Sequence, residues 1–221
     1  MRIALQDGHF RGSRGLRYEG RELIPRVDLL RHGQTEGGEI FRGHIDVPLS
    51  EAGRRQMAKA VSHAKWSAII TSPLVRCRDF AVKLAKETGA TCEVDERLKE
   101  YGFGDWDGQA IDHVMATSGD LVQRFFDDPF SSSPPNGEDF RQFTDRVLLA
   151  WNAIVEHACG EETLVITHGG VILSILAEVL GREQLHGRID VPYACATSIS
   201  MGSDGHPHRL LQHGSAPFAP R

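Results

Sequence analysis

The chain has 221 residues, of which 40% are hydrophobic and 25% charged, and its formal net charge is −5. That composition is ordinary for a soluble globular protein and is long enough to bury one sizeable core. The acidic balance, without a sustained basic stripe, excludes nucleic-acid binding, and no apolar run approaches the roughly 20 residues needed to span a bilayer.

Residues 1–25 form an extension rich in arginine and glycine, with no apolar stretch long enough for a secretory signal. They read as a disordered arm or an extra hairpin and carry no catalytic role. Val27, Leu29 and Leu30 mark a first strand over 27–30. Ser50 is a suitable N-cap for a helix that follows with Met57, Ala60 and Val61 at helical spacing. A short strand over 66–71 contains Ala68, Ile69 and Ile70. Ser72 and Pro73 open a helix reaching Thr88, with proline at its first position and Gly89 as its stop. A third strand is expected over 91–94.

Residues 108–128 read as short helices, and 131–137 (Ser-Ser-Ser-Pro-Pro-Asn-Gly) as a loop. A long helix over 138–157 places Phe140, Phe143, Val147, Ala150, Trp151 and Ile154 on one face. A buried strand over 163–167 runs through the turn His168-Gly169-Gly170 into an apolar helix over 171–180, ended by Gly181. Stretches 193–201 and 209–212 can close the sheet. Alternation of strand and helix predicts an α/β fold in one domain over 26–214, followed by a flexible tail over 215–221. Cys77, Cys92, Cys159 and Cys195 lack metal-ligand spacing and read as reduced thiols of a cytoplasmic protein. His206, His208 and His213 lie in a Gly/Pro-rich stretch without a carboxylate at helical spacing. Neither a metal nor a cofactor is expected.

Two strands end in His-Gly: Arg31-His32-Gly33 after the first, and His168-Gly169 after the strand over 163–167. Ligand crevices of open α/β sheets lie beyond the carboxyl ends of the strands, where helix N-termini also direct free N–H groups. The two histidines can therefore meet in one crevice. A third strand end delivers Arg76, and Glu100 follows the strand over 91–94. Each group has a task in phosphoryl transfer. A neutral imidazole attacks phosphorus, arginines match the phosphate oxygens and hold the charge that builds on them, and a carboxyl group protonates the leaving alkoxide. The expected partner is a small phosphorylated metabolite. Phe41, Arg42, His44 and Trp106 are candidates to face the leaving group, although Trp106 reads equally well as core.

The blocks LLRHGQTE, TSPLVRCRDFA, RLKEYGFGDWDG and LVITHGG resemble the histidine phosphatase superfamily, in its branch with phosphoglycerate mutases. The resemblance covers residues 26–180. It implies a three-layer α/β/α sandwich around a central, mostly parallel sheet, and a metal-independent phosphomonoesterase with a phosphohistidine intermediate. By resemblance His32 is the nucleophile, Arg31 and Arg76 bind phosphate, His168 is the second pocket histidine and Glu100 the proton donor. Gln34 and Thr35 fall in the phosphate loop, and Gly169 opens the helix behind His168. Many relatives carry an asparagine where this chain has Gly38, and Arg42 or the loop backbone can take its place. The segments FRGHIDVPLSEAG, FGDWDGQ and PPNGEDFRQFTDRV are closer to α-ribazole phosphatases of cobalamin synthesis. A broad-specificity sugar or small-metabolite phosphatase is the alternative. A mutase is disfavoured because the Arg-His pair that follows the mutase acid is absent after Glu100, and an inactive phospho-ligand-binding relative because the nucleophile and acid are both present. The resemblance also allows a homodimer.

Overall fold

The computed structural model describes residues 17–18, 21–22, 25–157, 162–202 and 208–219. Within the N-terminal extension, β1 (Arg17–Tyr18) pairs antiparallel with β2 (Arg21–Glu22). The rest of residues 1–24, together with Cys159 and His206, lies outside the described residues.

Six strands build one sheet in the order β5-β4-β6-β3-β7-β8. They are β3 (Arg26–Arg31), β4 (Ala68–Thr71), β5 (Thr91–Val94), β6 (Thr163–Thr167), β7 (Ala196–Ser200) and β8 (Arg209–Gly214). β3 to β6 run parallel, while β7 and β8 add an antiparallel edge. Helices α1 (Glu51–Ala60) and α2 (Val75–Thr88) cover one face. Helices α3 (Ile111–Asp127), α4 (Phe140–His157) and α5 (Gly169–Val179) cover the other.

Alternation along the strands makes the two cores. Val27, Leu29 and Val165 pack with Phe143, Trp151 and Ile175, whereas Leu30, Leu164 and Ile166 pack with Met57, Ala81 and Leu84. A strand buried on both faces reads as a continuous apolar run, which is why β3 and β6 stood out in the sequence. The register pairs Arg31 with Thr167, and the N–H of His32 donates to the carbonyl of Thr167 at 2.9 Å. His32 and His168 are therefore next-door neighbours at the carboxyl edge. Among the described residues no helix is long and apolar enough to cross a membrane.

Three expectations need correction. Helix α2 starts at Val75, so Pro73 precedes it instead of occupying its first position. Leu74 is extended, and the first free N–H, that of Val75, is capped by the Asp46 carboxylate at 2.8 Å from a distant loop. Helix α5 starts at Gly169, two residues early, so His168 itself is the N-cap. The expected flexible tail is anchored at Phe218, which is buried edge-on against Trp66 and whose N–H donates to the carbonyl of Ala60. Burying one phenyl group contributes about 2 kcal/mol, enough to hold a short segment against the α1 side of the sheet.

Candidate active site

The nucleophile loop leaves β3 through Gly33, which packs so tightly on the start of α1 that a Cβ there would lie 2.3 Å from the carbonyl oxygen of Gly53. This contact fixes the turn and the ring before it. His32 is buried, and its Nδ1 donates to the carbonyl of Gly33 at 2.8 Å. A carbonyl only accepts, so the proton sits on Nδ1 and the Nε2 lone pair is left for bonding. Burial, and then the charges of Arg76, Arg31 and Arg42, hold this imidazole well below its usual range, so it is neutral.

Arg31 and Arg76 flank that ring. The Arg31 guanidinium donates to the carbonyl of Val191 and lies 4.5 Å from the centre of the Tyr193 ring, while its buried Nε has no protein partner. Arg76 is fully buried, and three acceptors fix it. Its Nη1 donates to Ile45 O at 2.8 Å, Nη2 to Gly43 O at 2.7 Å, and Nε to His168 Nδ1 at 3.3 Å. Five N–H donors less these three leaves two for an anion.

The His168 ring stands edge-on to His32 with centroids 5.3 Å apart. Because Nδ1 accepts from Arg76, the ring proton is on Nε2 and donates to Ser72 Oγ at 2.7 Å. Burial first, and then Arg76, depress its basicity well below the ordinary imidazole value. Both ring nitrogens are thus engaged in the protein, and His168 braces Arg76. Beside it, burial pushes the Cys77 thiol up to about 12, so it stays protonated.

Glu100 closes the group. Its Oε1 accepts from the N–H of Tyr101 at 3.0 Å and its Oε2 from the N–H of Gly170 at 3.1 Å, in the first turn of α5. Gly170 was not singled out from the sequence, although its place in the His-Gly-Gly run offered a signal. A Cβ there would meet Glu100 Oε1 at 2.4 Å and Phe143 Cζ at 3.3 Å. Gly170→Ala is expected to displace the carboxyl group and lower kcat/KM on alkyl phosphates about tenfold to a hundredfold. Loss on p-nitrophenyl phosphate, whose leaving group needs little protonation, should be smaller. Equal losses on both would show that Gly170 does not act through the acid.

The remaining expected residues are placed as follows. Thr35 is buried with Oγ1 unpartnered, and lines a cleft of about 290 Å³ with residues 34–39, Ser50 and Tyr193. Gln34 is exposed, and its backbone, rather than its side chain, is bonded to Ser50 and Gln56. Gly169 packs against Arg31, with a hypothetical Cβ 3.6 Å from Arg31 Nε. Arg42 holds the loop by donating from Nη2 to the carbonyls of Glu36, at 3.0 Å, and Gly38. Gly38 itself has a φ of 69°. The guanidinium thus braces the loop around Gly38, and its charge reaches His32.

Phe41 and Trp106 pack together in the core with ring centroids 5.3 Å apart, and do not face the leaving group. His44 is exposed and its Nε2 donates to the carbonyl of Glu100 at 3.0 Å. Tyr193, whose ring lies 5.8 Å from His32, carried no local signal because the antiparallel edge brings it in from far along the chain.

The two site histidines share a consequence with His186, which packs edge-on to Phe140 and is pushed down to about 4 by burial. In the unfolded chain each of the three binds a proton near pH 6.5, and in the folded chain each does so only at lower pH. Through these three groups the unfolded state holds more protons below pH 6.5 and stability falls as the pH falls, a trend that outweighs the single opposing contribution of His213, held above its usual range by its bond to Cys195. Thermal unfolding followed from pH 7.5 to 5 is expected to show Tm dropping with acidification. His186→Phe should flatten that slope, and an unchanged slope would remove His186 from the account.

The chain belongs to the histidine phosphatase superfamily (branch 1), which it matches over residues 27–212. Phosphatases are among its relatives, and the chain is a phosphatase of this family. It is 32% identical over 170 residues to a glucosyl-3-phosphoglycerate phosphatase of Mycolicibacterium vanbaalenii, a span of 72% of this chain and 75% of the relative. Over 149 residues it is 34% identical to a bifunctional protein of Mycobacterium tuberculosis, but it spans only 41% of that protein. Among solved structures, a mycobacterial glucosyl-3-phosphoglycerate phosphatase superposes with a TM-score of 0.75 at 26% identity, covering 87% of this chain and 99% of that one. The α-ribazole phosphatase of Shigella flexneri shares the fold with a TM-score of 0.74 at 22% identity, covering 89% of this chain and 100% of that one.

Proposed function

We propose that this chain hydrolyses phosphomonoesters without a metal, through a phosphohistidine formed on His32. The carrying observation is the state of that ring: neutral, tied at Nδ1 to Gly33, with Nε2 available beside half-buried Arg31 and fully buried Arg76. Nε2 attacks phosphorus while Arg31 and Arg76 hold the charge gathering on the equatorial oxygens. Glu100, in protonated form, gives its proton to the departing alkoxide and, as the carboxylate, then takes one from the water that cleaves the N–P bond. Phosphate leaves and the imidazole is restored.

For the substrate we propose α-ribazole 5′-phosphate or the phosphorylated cobalamin precursor, on the likeness of segments 41–53, 103–109 and 134–147 to α-ribazole phosphatases. The aromatic Tyr193 beside the cleft suits a flat leaving group. The 32% identity to glucosyl-3-phosphoglycerate phosphatase favours a second reading, a sugar-linked phosphate ester. Comparing kcat/KM for α-ribazole 5′-phosphate, glucosyl-3-phosphoglycerate, simple sugar phosphates and phosphoglycerates decides between them. A preference above about tenfold for either sugar class, corresponding to about 1.4 kcal/mol, would overturn the α-ribazole assignment. The free thiols of Cys77, Cys92 and Cys195 suit a reducing compartment such as the cytoplasm.

A further inference from the structure

The bonds that fix Arg76 do not end at the carbonyls of Gly43 and Ile45. Those two carbonyls belong to a three-residue arc whose N–H groups all point the opposite way, onto one carboxylate. Asp107 Oδ1 accepts from Gly43 N at 2.8 Å, and Oδ2 accepts from His44 N at 2.6 Å and Ile45 N at 3.0 Å. On the other side of the arc, Gly43 O and Ile45 O receive Arg76 Nη2 and Nη1. One carboxylate and one guanidinium thus grip the same short stretch of backbone from opposite sides.

Asp107 sits on the loop that also carries the acid, and the arc is pressed directly onto that loop. A Cβ on Gly43 would lie 2.3 Å from Tyr101 O and 2.9 Å from Phe103 N. His44 adds a second tie through Nε2 to Glu100 O. We propose that Asp107 is a positioning residue for Arg76, setting the arc whose two carbonyls aim the guanidinium at the transferring phosphate. Physical necessity supports this. Two carbonyls two residues apart can address one guanidinium only if the backbone between them is held in a tight curve. Three converging N–H groups hold that curve only while an anion with two oxygens faces them. Without the carboxylate the N–H groups turn to water, the carbonyls swing with them, and Arg76 loses its aim. A displacement of about 1 Å in such a group is enough to cost a hundredfold in rate.

The inference rests on the phosphate cage described above, and a double-mutant cycle tests it. Asp107→Ala, Arg76→Ala and the double variant are compared by calorimetric binding of inorganic phosphate and by kcat/KM on p-nitrophenyl phosphate. Asp107→Ala is expected to weaken phosphate binding and lower kcat/KM, each by about tenfold to a hundredfold. In the Arg76→Ala background the same change should cost less than about twofold, because its effect runs through that arginine. Asp107→Asn, which keeps one acceptor oxygen, should lie between wild type and alanine, and supports the same cycle should the alanine variant fold poorly.

Additive losses in a folded double variant would overturn the proposal, as would unaltered phosphate binding by folded Asp107→Ala. A wild-type protein that binds phosphate but never forms a phosphoenzyme would overturn the phosphohistidine reading, while the cycle of phosphate binding would still judge Asp107.

Discussion

His32→Ala is expected to lower turnover of p-nitrophenyl phosphate by about four orders of magnitude or more while the protein stays folded. Among the described residues of the cage, no second imidazole offers a free ring nitrogen to phosphorus. Both ring nitrogens of His168 are engaged, by Arg76 and by Ser72, and arginines carry no lone pair to give. Removing the ring leaves a small cavity beside Tyr193 and His168 and one unpaired carbonyl at Gly33, a loss of about 1–3 kcal/mol. The domain should survive that loss, since two separate apolar cores bury both faces of the sheet. Acid-quenched or rapidly denatured wild-type enzyme should carry histidine-bound phosphate, and the variant none. Retained activity in folded His32→Ala would sink the nucleophile assignment.

Arg76→Ala should be the most damaging change outside the nucleophile, because it acts on rate and stability together. Two N–H donors aimed at the phosphate disappear, for which about a thousandfold loss in kcat/KM is expected. Gly43 O, Ile45 O and His168 Nδ1 also lose their donor, at about 1–3 kcal/mol for each that water cannot reach. Arg76→Lys separates the two effects. An ammonium keeps the charge but cannot span two carbonyls and an imidazole at once, so stability should recover more than rate. Chemical denaturation midpoints and kcat/KM on one set of samples read both quantities. A lysine variant with full activity would show that charge alone, without the aimed fork, serves the reaction.

The readable parts of this fold are those in which neighbours in sequence also settle the structure. Apolar runs at β3 and β6, the Ser50 cap of α1 and the apolar face of α4 each follow from local periodicity and capping. The five residues of the cage were legible for a related reason. β3, β4 and β6 are parallel, so their carboxyl ends meet at one edge, and a histidine or arginine just beyond each end has only that crevice to enter. Where distant contacts decided, local signals fell short. The start of α2 moved because Asp46 caps it from another loop, and Phe218 docked because Trp66 offers it an apolar neighbour. Trp106 is core because Phe41 and Phe125 surround it.

By itself the sequence determined the kind of chemistry: a histidine, two arginines, a second histidine and a carboxyl group carried to one edge of an α/β sheet, with glycines where backbone must approach closely. Only the tertiary structure decided the state and aim of those groups. Neutrality of His32 comes from its burial beside three positive charges, and its tautomer from one carbonyl of the following residue. The direction of Arg76 is set by two carbonyls thirty or so residues away, themselves held by Asp107, and that of Arg31 by Val191 and Tyr193. Residue type is a local property of the chain. Protonation and orientation are set by burial and by the dipoles a folded chain brings around each group, and these come largely from residues distant in the sequence.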